Sequence, residues 1–274
     1  FTPYVDTLGQ NGDLRYGGSA VAIGDFMKNG ANNEVILTDA QCAVVSATCS
    51  DSNTTKMFSV DWTGGVLKFT HEADLPATGT GIDHSVEIAN HDFNEDGNAD
   101  VIVFSTKMMN GGNKISEIQF MQNNGSGVFT DTTSSTLIGY QTNTSSTYKP
   151  RFFDINGDGK TDILVSGSTH DQNDSHQFLI KTTDNKYVAA YQNVLKGFMD
   201  DVTSISGDTT LGSTVNIFTG DDGNKYLVTW ASNELQSSDT KLQVFLSRLD
   251  GTTIAAGTAV NIIQNAWSYL SDAQ

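Results

Sequence analysis

The sequence predicts an all-β fold, and three observations carry that prediction. Helical periodicity is nearly absent from its 274 residues; short or alternating apolar runs, punctuated by Gly, Asn and Asp, take its place. A phrase of strand, acidic loop, strand, polar stretch, strand, tight turn and strand recurs along the chain. Its acidic loop is written twice in nearly the same letters, Asp92-Phe-Asn-Glu-Asp96-Gly-Asn-Ala-Asp100 and Asp154-Ile-Asn-Gly-Asp158-Gly-Lys-Thr-Asp162, each followed by a β run. From Asp25 to Asp92 to Asp154 the interval is 67 and then 62 residues. Four antiparallel strands at that spacing make a propeller blade. One blade cannot bury both faces, so stacking around an axis supplies the core. The predicted fold is a β-propeller of four-stranded antiparallel blades.

Each element follows from its own residues. Phe1-Thr-Pro-Tyr-Val-Asp-Thr-Leu8-Gly9 matches the outer strand and exit at Phe69-Thr70…Leu75 and Phe129-Thr130…Leu137-Ile-Gly139, which predicts an extra N-terminal outer strand over 1–9. The first blade, about 18–75, has strands at Ser19–Asp25, Glu34–Thr38, Met57–Trp62 and Val66–Thr70. The second, about 84–138, has Ser85–Asp92, Asp100–Ser105, Ser116–Gln122 and Val128–Asp131. The third, about 148–195, has Lys149–Asp154, Asp162–Ser166, His176–Lys181 and Tyr187–Ala190. The fourth, about 202–262, is looser. Lys225–Trp230, Lys241–Leu246 and Thr252–Ala256 are its later strands, and both Ser213–Phe218 and Asp201–Gly207 fit its first. The stretches Glu72–Asp83, Thr132–Thr147 and Gln192–Gly212 read as connections between blades. Residues 1–274 are expected to form a single propeller or part of a larger one, since an orphan strand suggests a partner chain or further blades.

The twin loops carry the chemistry. Both read D-x-N-x-D-G-x-x-D. Carboxylate or amide oxygens at positions 1, 3, 5 and 9, with a backbone carbonyl near 7, can converge on a hard cation, and calcium accepts six to eight such oxygens. Gly97 and Gly159 supply the sharp turn. The EF-hand also uses a D-x-N-x-D-G loop but demands a bidentate Glu at position 12 and flanking helices. Position 12 here is Val103 or Val165, inside β runs.

With strand before and apolar strand after, these loops resemble the FG-GAP/VCBS repeat family, the calcium-binding blades of integrin α-subunit heads and many secreted microbial proteins. The resemblance implies calcium ligands Asp92, Asn94, Asp96 and Asp100 with the Asn98 carbonyl, and Asp154, Asn156, Asp158 and Asp162 with the Lys160 carbonyl. The other blades depart from the pattern. In Asp25-Phe-Met-Lys-Asn29-Gly30, Met27 stands where an oxygen is needed and Glu34 arrives one residue late, so Asp25, Asn29 and Glu34 make a doubtful third site. In the fourth blade Phe218 and Tyr226 occupy positions 1 and 9 around Asp222-Gly223, which predicts an ion-free turn.

Composition narrows the function. Acidic residues outnumber basic ones 32 to 15, for a formal charge of −17. Nucleic acid and anionic membrane both need a basic footprint, so neither is expected as a partner. No apolar run reaches the ~18 residues of a membrane span. Phe1-Thr-Pro-Tyr reads as a mature end after processing. Cys42 and Cys49 suit a local disulfide clasp and an oxidising compartment, although two free cysteines fit as well. Asn53, Asn124, Asn143 and Asn173 begin glycosylation acceptor triplets, which arise by chance in so Asn- and Ser-rich a chain. His170 and His176 flank the acidic stretch Asp171–Asp174, a loop more in keeping with solvent than with a metal. Trp62, Trp230, Trp267, Tyr16, Tyr140, Tyr148 and Tyr269 could stack on sugars, but residues of this kind more often fill the space between sheets.

No nucleophile elbow, phosphate-cradling loop, dinucleotide fingerprint or H-E-x-x-H is present, so no catalytic residue is expected and no enzyme, a polysaccharide-active one being the residual exception. The expectation is a secreted or cell-surface module with calcium structural in its loops, serving recognition or adhesion toward a glycan or protein ligand. The alternative is a structural module of a surface assembly, fibre or larger secreted enzyme.

Overall fold

The computed structural model describes residues 20–30, 33–38, 55–63, 65–76, 82–108, 114–140, 150–165, 177–190, 209–233, 241–250, 253–254 and 260–263. The chain divides into two compact units, Phe1–Leu137 and Ile138–Gln274. The predicted strand at 1–9, both cysteines, His170, His176, Tyr16, Tyr148, Trp267 and Tyr269 lie outside the described residues.

In the first unit, β1 (Val21–Gly24), β2 (Glu34–Leu37), β3 (Lys56–Thr63) and β4 (Val66–Asp74) form one antiparallel sheet in chain order. A second sheet runs β5 (Ile82–Asn90), β6 (Val101–Met108), β7 (Lys114–Asn123) and β8 (Phe129–Asp131). A short helix, α1 (Thr133–Thr136), follows. Strand β6 explains its own sequence. Val101, Ile102, Val103, Phe104 and Ser105 are all buried, so both faces are covered and the run is continuously apolar rather than alternating. One face joins a core that spans the two sheets, with Phe26, Ile36, Met57, Ile88, Val101, Val103 and Met121. Within that core Phe26 meets Phe129 edge-on at 5.9 Å. Phe93 meets Phe120 edge-on at 5.1 Å. Burying one such ring is worth roughly 1.5–3 kcal/mol. Strand β1 alternates instead: Ala22 is buried, while Val21 and Ile23 are 52% and 60% exposed. Gly24 lets this strand approach β5, because a Cβ there would lie 2.5 Å from the Asn90 amide nitrogen, which donates to the Ile23 carbonyl at 3.0 Å.

The second unit also holds two sheets. β10 (Arg151–Phe153), β11 (Asp162–Val165), β12 (Gln177–Lys181) and β13 (Tyr187–Ala190) pair in order, with β9 (Leu137–Ile138) added outside β13. The sequence places 137–138 at the end of the preceding blade; in the structure this pair covers an edge that would otherwise be open. Strand β11 is buried throughout, as β6 is over Val101–Ser105. The last sheet comprises β14 (Thr209–Thr219), β15 (Lys225–Asn233), β16 (Lys241–Asp250) and β17 (Thr253–Ile254), with β18 (Val260–Ile263) also paired to β16. Of the two candidates for its first strand, Ser213–Phe218 lies within β14, and Asp201–Gly207 lies outside the described residues. The predicted outer strand Thr252–Ala256 is described only at β17, and β18 supplies a second outer piece. The architecture is therefore all-β, built of antiparallel sheets of four or more strands with almost no helix.

Trp62 departs from the between-sheet placement that its residue type favours. It is 71% exposed, near the turn joining β3 to β4.

Candidate metal centre

Each predicted loop joins the first strand of a sheet to the second, as the repeat implies. Loop 92–100 connects β5 to β6, and loop 154–162 connects β10 to β11. Inside them the same hydrogen bonds recur. The carboxylate at position 1 caps the backbone N–H groups of positions 5 and 6. Asp92 accepts from Asp96 at 3.1 Å and Gly97 at 2.9 Å, and Asp154 accepts from Asp158 at 3.1 Å and Gly159 at 3.0 Å. The amide at position 3 accepts from the position-5 N–H and donates to the position-5 carboxylate. Asn94 does so at 3.0 and 2.9 Å, Asn156 at 3.0 and 3.1 Å. The position-5 carboxylate accepts from the position-7 N–H, Asn98 at 2.8 Å and Lys160 at 2.9 Å. Gly97 and Gly159 have φ of 81° and 85°, the left-handed region where a Cβ is penalised.

Position 4 is left-handed too, which the motif does not announce. Glu95 has φ 61°, Lys28 φ 48° and Gly157 φ 84°. The glycine at 157 was the available signal, since it aligns with Glu95 and Lys28.

Position 9 separates the loops. Asp162 is buried and both its oxygens are used: Oδ1 accepts from Lys181 N–H at 2.7 Å, Oδ2 from Ile155 at 2.8 Å and Asn156 at 3.4 Å. Burial raises its pKa above the usual carboxylate range, and those N–H groups oppose the rise. Asp100 is equally buried. Its Oδ1 accepts from Asn123 N–H at 2.8 Å, but its buried Oδ2 has no hydrogen-bond partner among the described residues. Burial, with the charges of Asp96 and Asp92, pushes Asp100 up to about 7 against the opposing backbone N–H groups of Asn123 and Phe93; the Phe93 N–H faces the carboxylate but completes no hydrogen bond with Oδ2.

Asn123 is a site residue that the motif did not reveal. It is fully buried. Its side-chain amide donates to the Phe26 carbonyl at 2.8 Å and the Ala99 carbonyl at 3.0 Å, and its Oδ1 accepts from Gly125 N–H at 3.1 Å. It thereby ties loop 92–100 to loop 25–34. Only its place in the turn after the third strand hinted at this.

Loop 25–34 keeps the cap but not the donor set. Asp25 accepts from Asn29 N–H at 2.9 Å and Gly30 N–H at 3.0 Å. Glu34 is buried. Coming one residue late, it uses its extra methylene to accept from Phe26 N–H at 2.8 Å, as Asp162 accepts from Ile155. Its other oxygen takes the Asn29 amide at 2.8 Å. The neutral Asn29 amide thus occupies Glu34 directly. In the fourth sheet Phe218 pairs with Tyr226 across the hairpin and stacks on it at 5.6 Å and 23°. Aromatic faces replace carboxylates there, and the Tyr226 hydroxyl donates to Asp222 at 2.7 Å.

The donors of the two complete loops are all oxygen, which suits a hard cation, and the buried Oδ2 of Asp100 completes no hydrogen bond among the described residues. The residues fit calcium on those grounds. Among the described residues, no three His, Cys, Asp or Glu side chains already converge as a metal cluster; the carboxylates cap loop N–H groups instead.

Residues 92–165, which contain both loops, match the model of the FG-GAP-like repeat family. No curated protein matches the chain. Among solved structures, the chain is similar to the crystal structure of endo-arabinase from Bacteroides thetaiotaomicron VPI-5482, at 8% identity and a TM-score of 0.37, over 90% of this chain and 81% of that one.

Proposed function

We propose that this chain is a calcium-binding β-propeller module, extracellular, used for recognition or adhesion toward a glycan or protein ligand and without catalytic activity of its own. The observation that carries the reading is the unpartnered, buried Oδ2 of Asp100 inside a loop of oxygen donors. The FG-GAP-like match over 92–165 supports it, as do the four-stranded antiparallel sheets. Asp92, Asn94, Asp96, Asp100 and the Asn98 carbonyl would hold one ion. Asp154, Asn156, Asp158, Asp162 and the Lys160 carbonyl would hold a second. Bound calcium supplies positive charge among carboxylates that otherwise repel one another by ~1–4 kcal/mol per pair at surface dielectric. Loop 25–34, closed by the Asn29 amide, is left without an ion. The role is structural: the ion pins the turn between first and second strands, while other surfaces touch the ligand. Trp62, 71% exposed, is a candidate for that contact.

Calorimetric titration of the calcium-stripped chain with Ca2+ tests the metal reading, with two binding events expected; no binding overturns it. A glycan array run with and without calcium tests recognition. A silent array with a self-associating protein would favour a structural module of a surface assembly.

A further inference from the structure

The twin loops share letters and hydrogen bonds but not electrical surroundings. Loop 92–100 contains Asp92, Glu95, Asp96 and Asp100 and no basic residue, whereas loop 154–162 balances Asp154, Asp158 and Asp162 with Lys160. A second cation reaches the latter from another sheet. Lys225, the first residue of β15, donates through Nζ to the Asp154 carbonyl and stands 3.6 Å from the Asp154 carboxylate. Its ammonium also lies 5.4 Å from the centre of the Phe153 ring. Packing therefore fixes the charge in place. Among the described residues no lysine or arginine makes an ion pair with Asp92, Asp96 or Asp100. Position 9 differs in the same sense, since Asp162 spends both oxygens on well-formed bonds to backbone N–H groups and Asp100 Oδ2 completes none.

We infer that the two loops are unequal cation sites: loop 92–100 is the high-affinity calcium site, and at loop 154–162 Lys225 serves as a resident cation that weakens calcium binding and holds the loop's shape without it. The assignment rests on the calcium reading above. A fixed positive charge a few ångströms from a divalent ion opposes it, and at intermediate dielectric the effect on affinity is about tenfold or more. The same charge removes the need for the ion, so chelation should loosen 92–100 and spare 154–162.

The test is Ca2+ titration of the whole chain by calorimetry, in variants that isolate each loop. Asp158→Ala, which leaves 92–100, should bind about tenfold more tightly than Asp96→Ala, which leaves 154–162. Adding Lys225→Met to Asp96→Ala should tighten the remaining site about tenfold, and adding it to Asp158→Ala should change nothing. Lys225→Gln, which keeps a neutral donor for the Asp154 carbonyl, should act in the same direction if Met perturbs the fold. Hydrogen exchange after chelation should rise at 92–100 and not at 154–162. Equal affinities, or a second loop indifferent to both Lys225 variants, overturn this assignment while leaving calcium binding intact. A wild-type chain that binds no calcium overturns both readings.

Discussion

Loops 92–100 and 154–162 were built from one pattern, yet protein groups complete only the second. In loop 154–162 the position-9 carboxylate takes three backbone N–H groups, and Lys225 brings a positive charge to position 1. In loop 92–100 one buried carboxylate oxygen completes no hydrogen bond, the Asn123 N–H serves the other as Lys181 N–H does in the second loop, and no described lysine or arginine pairs with Asp92, Asp96 or Asp100. Identical letters therefore do not make identical sites. The flanking strands decide how much of the work is left for an ion.

The sharpest way to break that comparison is to delete the two position-9 carboxylates. Without calcium, Asp162→Ala strands three N–H groups and should cost about 3 kcal/mol or more, whereas Asp100→Ala strands the Asn123 N–H and loosens the weaker Phe93 contact and should cost about 1–2 kcal/mol. Urea melts with and without calcium check this. Added calcium should narrow or reverse the order, because only the Asp100 variant loses the tighter ion. An unchanged order in calcium would mean that Asp100 does not serve a metal.

Next in size is Asn123→Ala, expected to cost about 2 kcal/mol by leaving the buried Phe26 and Ala99 carbonyls without their amide donor. Chemical denaturation measures it. A loss below about 0.5 kcal/mol would show that loops 25–34 and 92–100 do not depend on this tie.

Calcium itself comes third. At ten times its dissociation constant it should add about 1.4 kcal/mol per site and raise the melting temperature. Asp96→Ala with Asp158→Ala should abolish most of the rise. A melting curve unmoved by chelator would count against both sites.

The smallest effect concerns position 4. Gly157→Ala should cost about 1 kcal/mol, because φ there is 84° and a Cβ is penalised in that region. Its Cβ would meet Lys225 Nζ at an ordinary 3.7 Å, so the loss isolates backbone strain. Glu95→Gly should give back a few tenths of a kcal/mol, the relief of strain being partly offset by a floppier unfolded chain. Thermal melts of the pair resolve the sign.

Much of this was legible in the letters. Val101–Phe104 and Ile163–Val165 read as apolar β runs after each loop, and the structure makes both strands with every one of these residues buried. Phe218 and Tyr226 at positions 1 and 9 announced a loop with no place for an ion, and their rings do stack across that hairpin. Other features were not legible, since they depend on what lies across space. Glu34 looked misplaced by one residue until its longer side chain was seen to reach the Phe26 N–H. Trp62 reads like core material but stands in the open. Leu137–Ile138 reads as the tail of one sheet's outer strand and pairs beside β13.

The sequence by itself determined the repeat, the all-β class and the oxygen-rich loops. Periodicity, turn glycines and ligand spacing are local properties, each confined to a few neighbouring residues. The tertiary structure alone decided which copy of the loop is self-sufficient. That depends on Asn123 lying beside Asp100, twenty-three residues away, and on Lys225 lying beside Asp154, seventy-one residues away. Charge and burial at a site are set by whatever packing brings there, and no spacing rule within nine residues can supply them.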